Sequence, residues 1–211
     1  MSPIDDLLLA QHLADVADRI SMQFFSAGNV GTQRKADGSP VTAADREVEQ
    51  VIRDRLASAR PQDCVVGEEF GGHGNAARCW VIDPIDGTGN FSIGRAEWST
   101  LIAVEADGEV RTGVITAPAL QRRWWASRAT GAWTSTCLPG RLGPRQALTV
   151  TRTRILDKAT AAIWPVADWV PAQRLARATA LLARCGDGGP LTNWAGACQG
   201  AMLVAAGQVD L

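Results

Sequence analysis

Apolar residues recur at helical spacing from the start of the chain. Ile4, Leu7, Leu8, Val16, Ile20 and Phe24 fall on one stripe, which predicts an amphipathic helix over residues 3–25. Ser2-Pro3 with Asp5 behind it is the pattern of a helix start, with a capping hydroxyl, proline in the first turn and an early acid. Residues 28–40 lose the periodicity, carry Lys35 and read as a loop. Thr42-Ala43-Ala44-Asp45 then has the form of a capping box, opening a second helix whose apolar face is Val48, Val51, Ile52 and Leu56. After Pro61 the pattern changes to short apolar runs. Cys64-Val65-Val66 and Trp80-Val81-Ile82 each run into carboxylates and read as strands. Residues 101–105 and 110–116 flank Ala106-Asp107-Gly108-Glu109, a hairpin turn. Residues 123–127 and 132–135 continue this antiparallel region. The Gly/Pro-rich stretch 137–145 is the expected junction between subdomains, dividing the chain into 1–136 and 137–211. Beyond it, 148–151 is a possible strand, 171–184 a helix, and 193–206 an apolar helix that Gly207 is placed to end. Strands followed by helices, with hairpins between, predict an α+β fold with a mixed sheet flanked by helices.

Composition narrows the function. The 211 residues are 46% hydrophobic and 20% charged, with a net charge of −1 and a pI near 6.1. No basic field draws nucleic acid or an anionic membrane, so a small molecule is the expected partner. The first residues lack the basic, apolar sequence of a signal peptide, and no window approaches the roughly 18 apolar residues of a membrane span, so the expected compartment is the cytoplasm. Five cysteines, Cys64, Cys79, Cys137, Cys185 and Cys198, include no C-x-x-C pair and predict neither disulfides nor a thiolate zinc site. His12 and His73 are expected to be ordinary rather than metal ligands. Arg122-Arg123-Trp124-Trp125 could stack on a base, but strand alternation favours one tryptophan in the core and a basic rim.

The chemistry is concentrated in Asp83-Pro84-Ile85-Asp86-Gly87-Thr88. Two carboxylates three residues apart at the end of a buried strand are costly unless a positive charge meets them. Proline fixes the backbone between them, Gly87 permits close approach, and Thr88 adds a hydroxyl. Oxygen donors of this kind suit Mg²⁺, and the N–H groups at Gly87-Thr88 suit a phosphate. In isolation the run reads equally well as a solvated turn. Glu68-Glu69, fifteen residues earlier at the end of another strand, and Asp45 at a helix start favour the metal site.

Three segments together resemble the inositol monophosphatase family: Val41-Thr42-Ala43-Ala44-Asp45, Gly67-Glu68-Glu69, and Trp80-Val81-Ile82-Asp83-Pro84-Ile85-Asp86-Gly87-Thr88-Gly89-Asn90-Phe91. The resemblance implies a layered α/β sandwich and Mg²⁺-dependent hydrolysis of a small phosphomonoester. It implies that Glu68, Asp83, the Ile85 carbonyl and Asp86 hold metal, and that Glu68 and Thr88 orient and deprotonate the attacking water. The N–H groups of Gly87 and Thr88 would bind phosphate, and Asp45 would lie near a further ion or its waters. Residues 117–126 are similar to the histidinol-phosphate phosphatase branch; inositol-1-phosphate and histidinol phosphate are the main substrate candidates, and the resemblance also leaves nucleotide 3′-phosphatase and sugar-bisphosphatase activity open. The family also has a metal-ligand aspartate in a W-D-x-A-A segment, which 1–211 does not contain. That implies an incomplete second subdomain, a homodimer formed through an unfinished sheet edge, and, as the alternative function, a catalytically impaired metal- or phosphate-binding module.

Overall fold

The computed structural model describes residues 3–28, 31–36, 38, 40–73, 77–128, 130–161, 172–186 and 197–211. In order, the elements are α1 (Pro3–Ala27), β1 (Thr32–Arg34), β2 (Pro40–Thr42), α2 (Ala43–Ala59), β3 (Cys64–Gly67), β4 (Gly71–His73), β5 (Arg78–Asp86), α3 (Thr88–Ser92), β6 (Ser99–Ala106), β7 (Glu109–Ala117), β8 (Arg122–Ser127), β9 (Gly131–Leu138), β10 (Arg141–Leu142), β11 (Gln146–Ala147), α4 (Ala172–Leu182) and α5 (Ala197–Ala205). The fold is α+β. Its main sheet runs β10-β9-β8-β7-β6-β5-β3-β4, with β11 also pairing to β9. The sheet is mixed, because β3 and β5 are parallel while the other neighbours are antiparallel.

α1 and α2 pack on the sheet through one cluster of Ala10, Leu13, Ala14, Ala17, Val48, Ile52, Leu56, Trp80, Ile82, Ile102, Val104 and Val114. The expected stripe on α1 was partly misplaced. Leu8 is 65% exposed and Ile4 is also exposed, whereas the small residues Ala10, Ala14 and Ala17 are fully buried. Close approach of helix to helix and sheet selects alanine there, so the large apolar residues alone do not mark the buried face.

Other expectations shift for local reasons. Within the expected loop 28–40, β1 pairs antiparallel with β2, with Gln33 opposite Val41. Residues 148–151 form no strand; β11 pairs just before them. The chain divides into two compact units between Ala147 and Leu148, since β10 and β11 both pair with β9 and keep residues up to 147 with the first unit. The second unit contains α4 and α5. There Asp210 accepts hydrogen bonds from Thr151 Oγ1 and from the Thr160 N–H and hydroxyl, and these hold its carboxyl down to about 2. No helix among the described residues is long and apolar enough to cross a membrane.

The expected basic rim at Arg122-Arg123 is corrected at Arg123. Its side chain is buried, with Nη1 2.7 Å from Asp15, Nη2 2.6 Å from Asp18 and Nε 3.1 Å from the Thr116 hydroxyl. Trp125 packs partly against the core cluster. Burial raises the pKa of Asp18, against the pull of the Arg123 charge. The cluster ties α1 to β7 and β8. Arg123→Ala strands Asp18 without its counter-charge, and should destabilise the first unit by about 3–5 kcal/mol in urea unfolding. A loss within experimental error of zero would contradict this assignment.

Candidate metal and phosphate site

Parallel pairing of β3 and β5 brings the site together. Gly67 lies opposite Ile82, so both strands leave the sheet at the same edge and in the same direction. The Glu68 N–H donates to the Ile82 carbonyl at 3.2 Å, which sets Glu68 beside Asp83. In a regular strand residues three apart face opposite sides. Here Asp83 pairs with Leu101 and Asp86 with Ser99, so β5 spends one residue more than β6 over this stretch. That bulge lets both carboxylates act on one site. It falls at Pro84, which has no N–H to lose from the ladder, and the Thr100 hydroxyl donates to the Pro84 carbonyl at 2.7 Å.

Gly87 follows with φ +89°, a conformation that favours glycine, and a Cβ there would stand 2.9 Å from the Glu97 carbonyl. The turn is pinned by Asn90, whose side-chain amide donates to the same carbonyl at 2.8 Å. Below it, Phe91 meets Trp98 edge to face at 4.9 Å, and Phe25 packs against both. The Thr88 hydroxyl is buried between two acceptors, 3.0 Å from the Ile85 carbonyl and 3.2 Å from Asp45 Oδ1.

Asp45 comes from the first turn of α2. Its Oδ2 accepts from the Thr42 N–H at 2.8 Å and the Thr42 hydroxyl at 2.5 Å, as the capping box required. Its other oxygen remains for Thr88. Burial raises the pKa of Asp45, while the bonds from Thr42 and Thr88 oppose the shift.

Negative charge dominates the site. Burial, then the charges of Glu68 and Asp86, push the Asp83 carboxyl up to about 9, with Asp45 adding to the effect. The facing cation is Lys35, the residue just after β1. Its ammonium lies 2.7 Å from Glu68 Oε1 and 2.6 Å from Glu69 Oε1. Burial works to lower the lysine pKa, but the two glutamates outweigh it and hold the group above its ordinary value. Burial raises Glu69 as well, against Lys35.

The residues fit a hard divalent cation. Asp83 Oδ1 is buried without a hydrogen-bond partner, an expensive state that a cation would relieve. Among the described residues no three acidic, histidine or cysteine side chains stand ready to hold a metal together. Glu68 is engaged by Lys35, but its side chain is 44% exposed and can turn away at the cost of a screened ion pair. The structure thus brings Asp45, Glu68, Asp83, Ile85, Asp86, Gly87 and Thr88 into one region. Residues 187–196, which precede α5, lie outside the described residues. His12 is on α1, near Arg55, and His73 is on β4, outside the contacts described for the acid cluster. Sequence reasoning overlooked Glu49, which the buried face of α2 carries one turn after Asp45. Its signal was a glutamate set between Val48 and Ile52 on an otherwise apolar stripe.

The pH dependence follows from Asp83. Its folded pKa lies above the ordinary aspartate value of 3.8, so between about 4 and 9 the folded chain holds a proton that the unfolded chain releases. Stability without divalent cations should therefore fall as pH rises through that window. Asp83→Asn should flatten the fall, read as melting temperature against pH in chelator. Identical slopes for the two proteins would contradict the assignment.

The sequence profile described as "Inositol monophosphatase family" matches residues 6–211. A histidinol-phosphatase of Mycobacterium tuberculosis is 51% identical over 132 residues, covering 62% of this chain and 51% of that protein. A histidinol-phosphatase of Streptomyces coelicolor is 42% identical over 176 residues, covering 82% of this chain and 65% of that protein. The chain thus spans between half and two thirds of the length of these two curated relatives. Among solved structures, an inositol monophosphatase from Zymomonas mobilis superposes with a TM-score of 0.79 at 32% identity, over 99% of this chain and 76% of that one.

Proposed function

The chain belongs to the inositol monophosphatase family, and on that premise we propose that it catalyses Mg²⁺-dependent hydrolysis of a small phosphomonoester. The observation that carries the proposal is Asp83, whose buried Oδ1 has no hydrogen-bond partner and which lies among the charges of Glu68, Asp86 and Asp45. Of the two substrate candidates, histidinol phosphate is favoured over inositol-1-phosphate by the names of the relatives at 51% and 42% identity.

Glu68, Asp83, the Ile85 carbonyl and Asp86 would hold the metal, all through oxygen, as Mg²⁺ prefers. When bound, Mg²⁺ supplies positive charge that acidifies water and stabilises the departing alkoxide. The chain's own residues position the rest. The Thr88 hydroxyl, donating to Asp45, presents a lone pair to the attacking water, and burial makes Asp45 a better acceptor behind it. Glu68, half exposed, orients the same water and takes its proton. The N–H groups of Gly87 and Thr88 cradle the phosphate where φ +89° opens the turn. Water oxygen bonds to phosphorus, the ester P–O bond breaks, and the alcohol leaves with a proton.

The setting belongs to the same proposal: a cytoplasmic homodimer whose partner is a small phosphate ester rather than nucleic acid or a membrane, in keeping with a net charge of −1. Light scattering at concentrations well above micromolar should return twice the chain mass, and a clean monomer would contradict the dimer.

Phosphate release from a panel including histidinol phosphate and inositol-1-phosphate should require Mg²⁺. It should fall by about a hundredfold or more in Glu68→Gln, the scale of a lost general base. Full Mg²⁺-dependent activity in that variant would remove Glu68 from the mechanism. No turnover on any ester, with Mg²⁺ still bound, would instead support the alternative of a catalytically impaired binding module.

A further inference from the structure

Glu49 has no exposed surface, yet all its contacts point to one place. Oε2 accepts the Glu69 N–H at 2.7 Å and Oε1 accepts the Phe70 N–H at 3.1 Å. Arg53, one turn further along α2, donates Nε to Glu49 Oε1 at 2.8 Å and an Nη2 hydrogen bond to the Gly71 carbonyl. Its guanidinium also stands 5.9 Å from the centre of the Phe70 ring. The turn that follows Glu68 is therefore tied to α2 by a carboxylate and a guanidinium from successive turns of one helix. Gly67 completes the fit, since a Cβ there would overlap the Glu49 carboxylate.

Asp45 and Glu49 are four residues apart on the buried face of α2, about one helical turn. Asp45 holds the hydroxyl of Thr88, and Glu49 holds the backbone just past Glu68. We propose that Glu49 is a positioning residue: through the Glu69 and Phe70 N–H groups it fixes the Glu68 turn relative to Thr88, with α2 as the ruler between the two loops. The inference rests on the metal-binding role proposed for Glu68. It adds that Glu68 is placed from α2, and not by the sheet alone.

Glu49→Gln retains size but loses one carboxylate acceptor, and Gly67→Ala displaces the carboxylate while keeping its charge. Mn²⁺ alone, titrated and read by electron paramagnetic resonance, is the probe. Each variant should weaken Mn²⁺ binding by about tenfold or more, as loss of a group supporting a metal ligand does. The double variant should lose little beyond the larger single loss, because both changes break one contact. Amide exchange at Glu69 and Phe70 should quicken in both. Asp6→Asn serves as a control, since Asp6 is equally buried on α1 but bound to Arg78; it should lower the melting temperature and leave Mn²⁺ affinity unchanged. If Glu49→Gln destabilises the fold too far, Gly67→Ala carries the test. Wild-type Mn²⁺ affinity in both variants overturns the inference while leaving the proposed function standing. A wild-type chain that binds no Mn²⁺ and releases no phosphate overturns the proposed function, and the inference with it.

Discussion

The structure turns on the repulsion among carboxylates gathered at one edge of the sheet. β3 and β5 are the parallel neighbours among the described strands, and parallel strands must end on the same side. That single pairing sets Glu68 beside Asp83, while the bulge at Pro84 adds Asp86 and α2 adds Asp45. Burial and the neighbouring charges then make Asp83 hard to ionise, pushing it up to about 9. Such a cluster is tolerable only with a counter-charge, and the rest of the first unit is organised to hold it in place.

The contrast with the other paired acids in this unit is informative. Asp6 and Asp63 share Arg78, Asp15 and Asp18 share Arg123, and Glu49 has Arg53. Each of these clusters carries its own guanidinium, a permanent charge that cannot be released near neutral pH. At the site the facing cation is a lysine, bonded to Glu68 and Glu69, and Asp83 keeps an oxygen without a hydrogen-bond partner. Structural ion clusters here are closed by arginine. The acid cluster at the proposed site is left with acceptor capacity for a cation, framed by backbone geometry at Pro84 and Gly87 and by the face of α2.

Much of the site was legible in the sequence because its constraints are local. Proline without an N–H, glycine at a positive φ and a threonine–aspartate capping box each leave a mark within a few residues. The helices and the β6–β7 hairpin were legible for the same reason. What sequence missed depends on contacts far along the chain. Arg123 looked like a surface charge because its partners Asp15 and Asp18 lie more than a hundred residues away. Glu49 went unnoticed because the N–H groups it satisfies belong to a turn twenty residues on. The buried face of α1 was misdrawn since alanine carries little weight in a hydrophobic pattern, although close packing demands it.

On the proposed function, this acid cluster exchanges a proton for a divalent cation. Titration calorimetry of Mg²⁺ into the chain, in two buffers of different ionisation enthalpy near pH 7.5, measures that exchange directly. With Asp83 protonated below about 9 in the metal-free chain, binding should release close to one proton, and the release should disappear in Asp83→Asn. Mg²⁺ binding with no proton release, or the same release from Asp83→Asn, would contradict it.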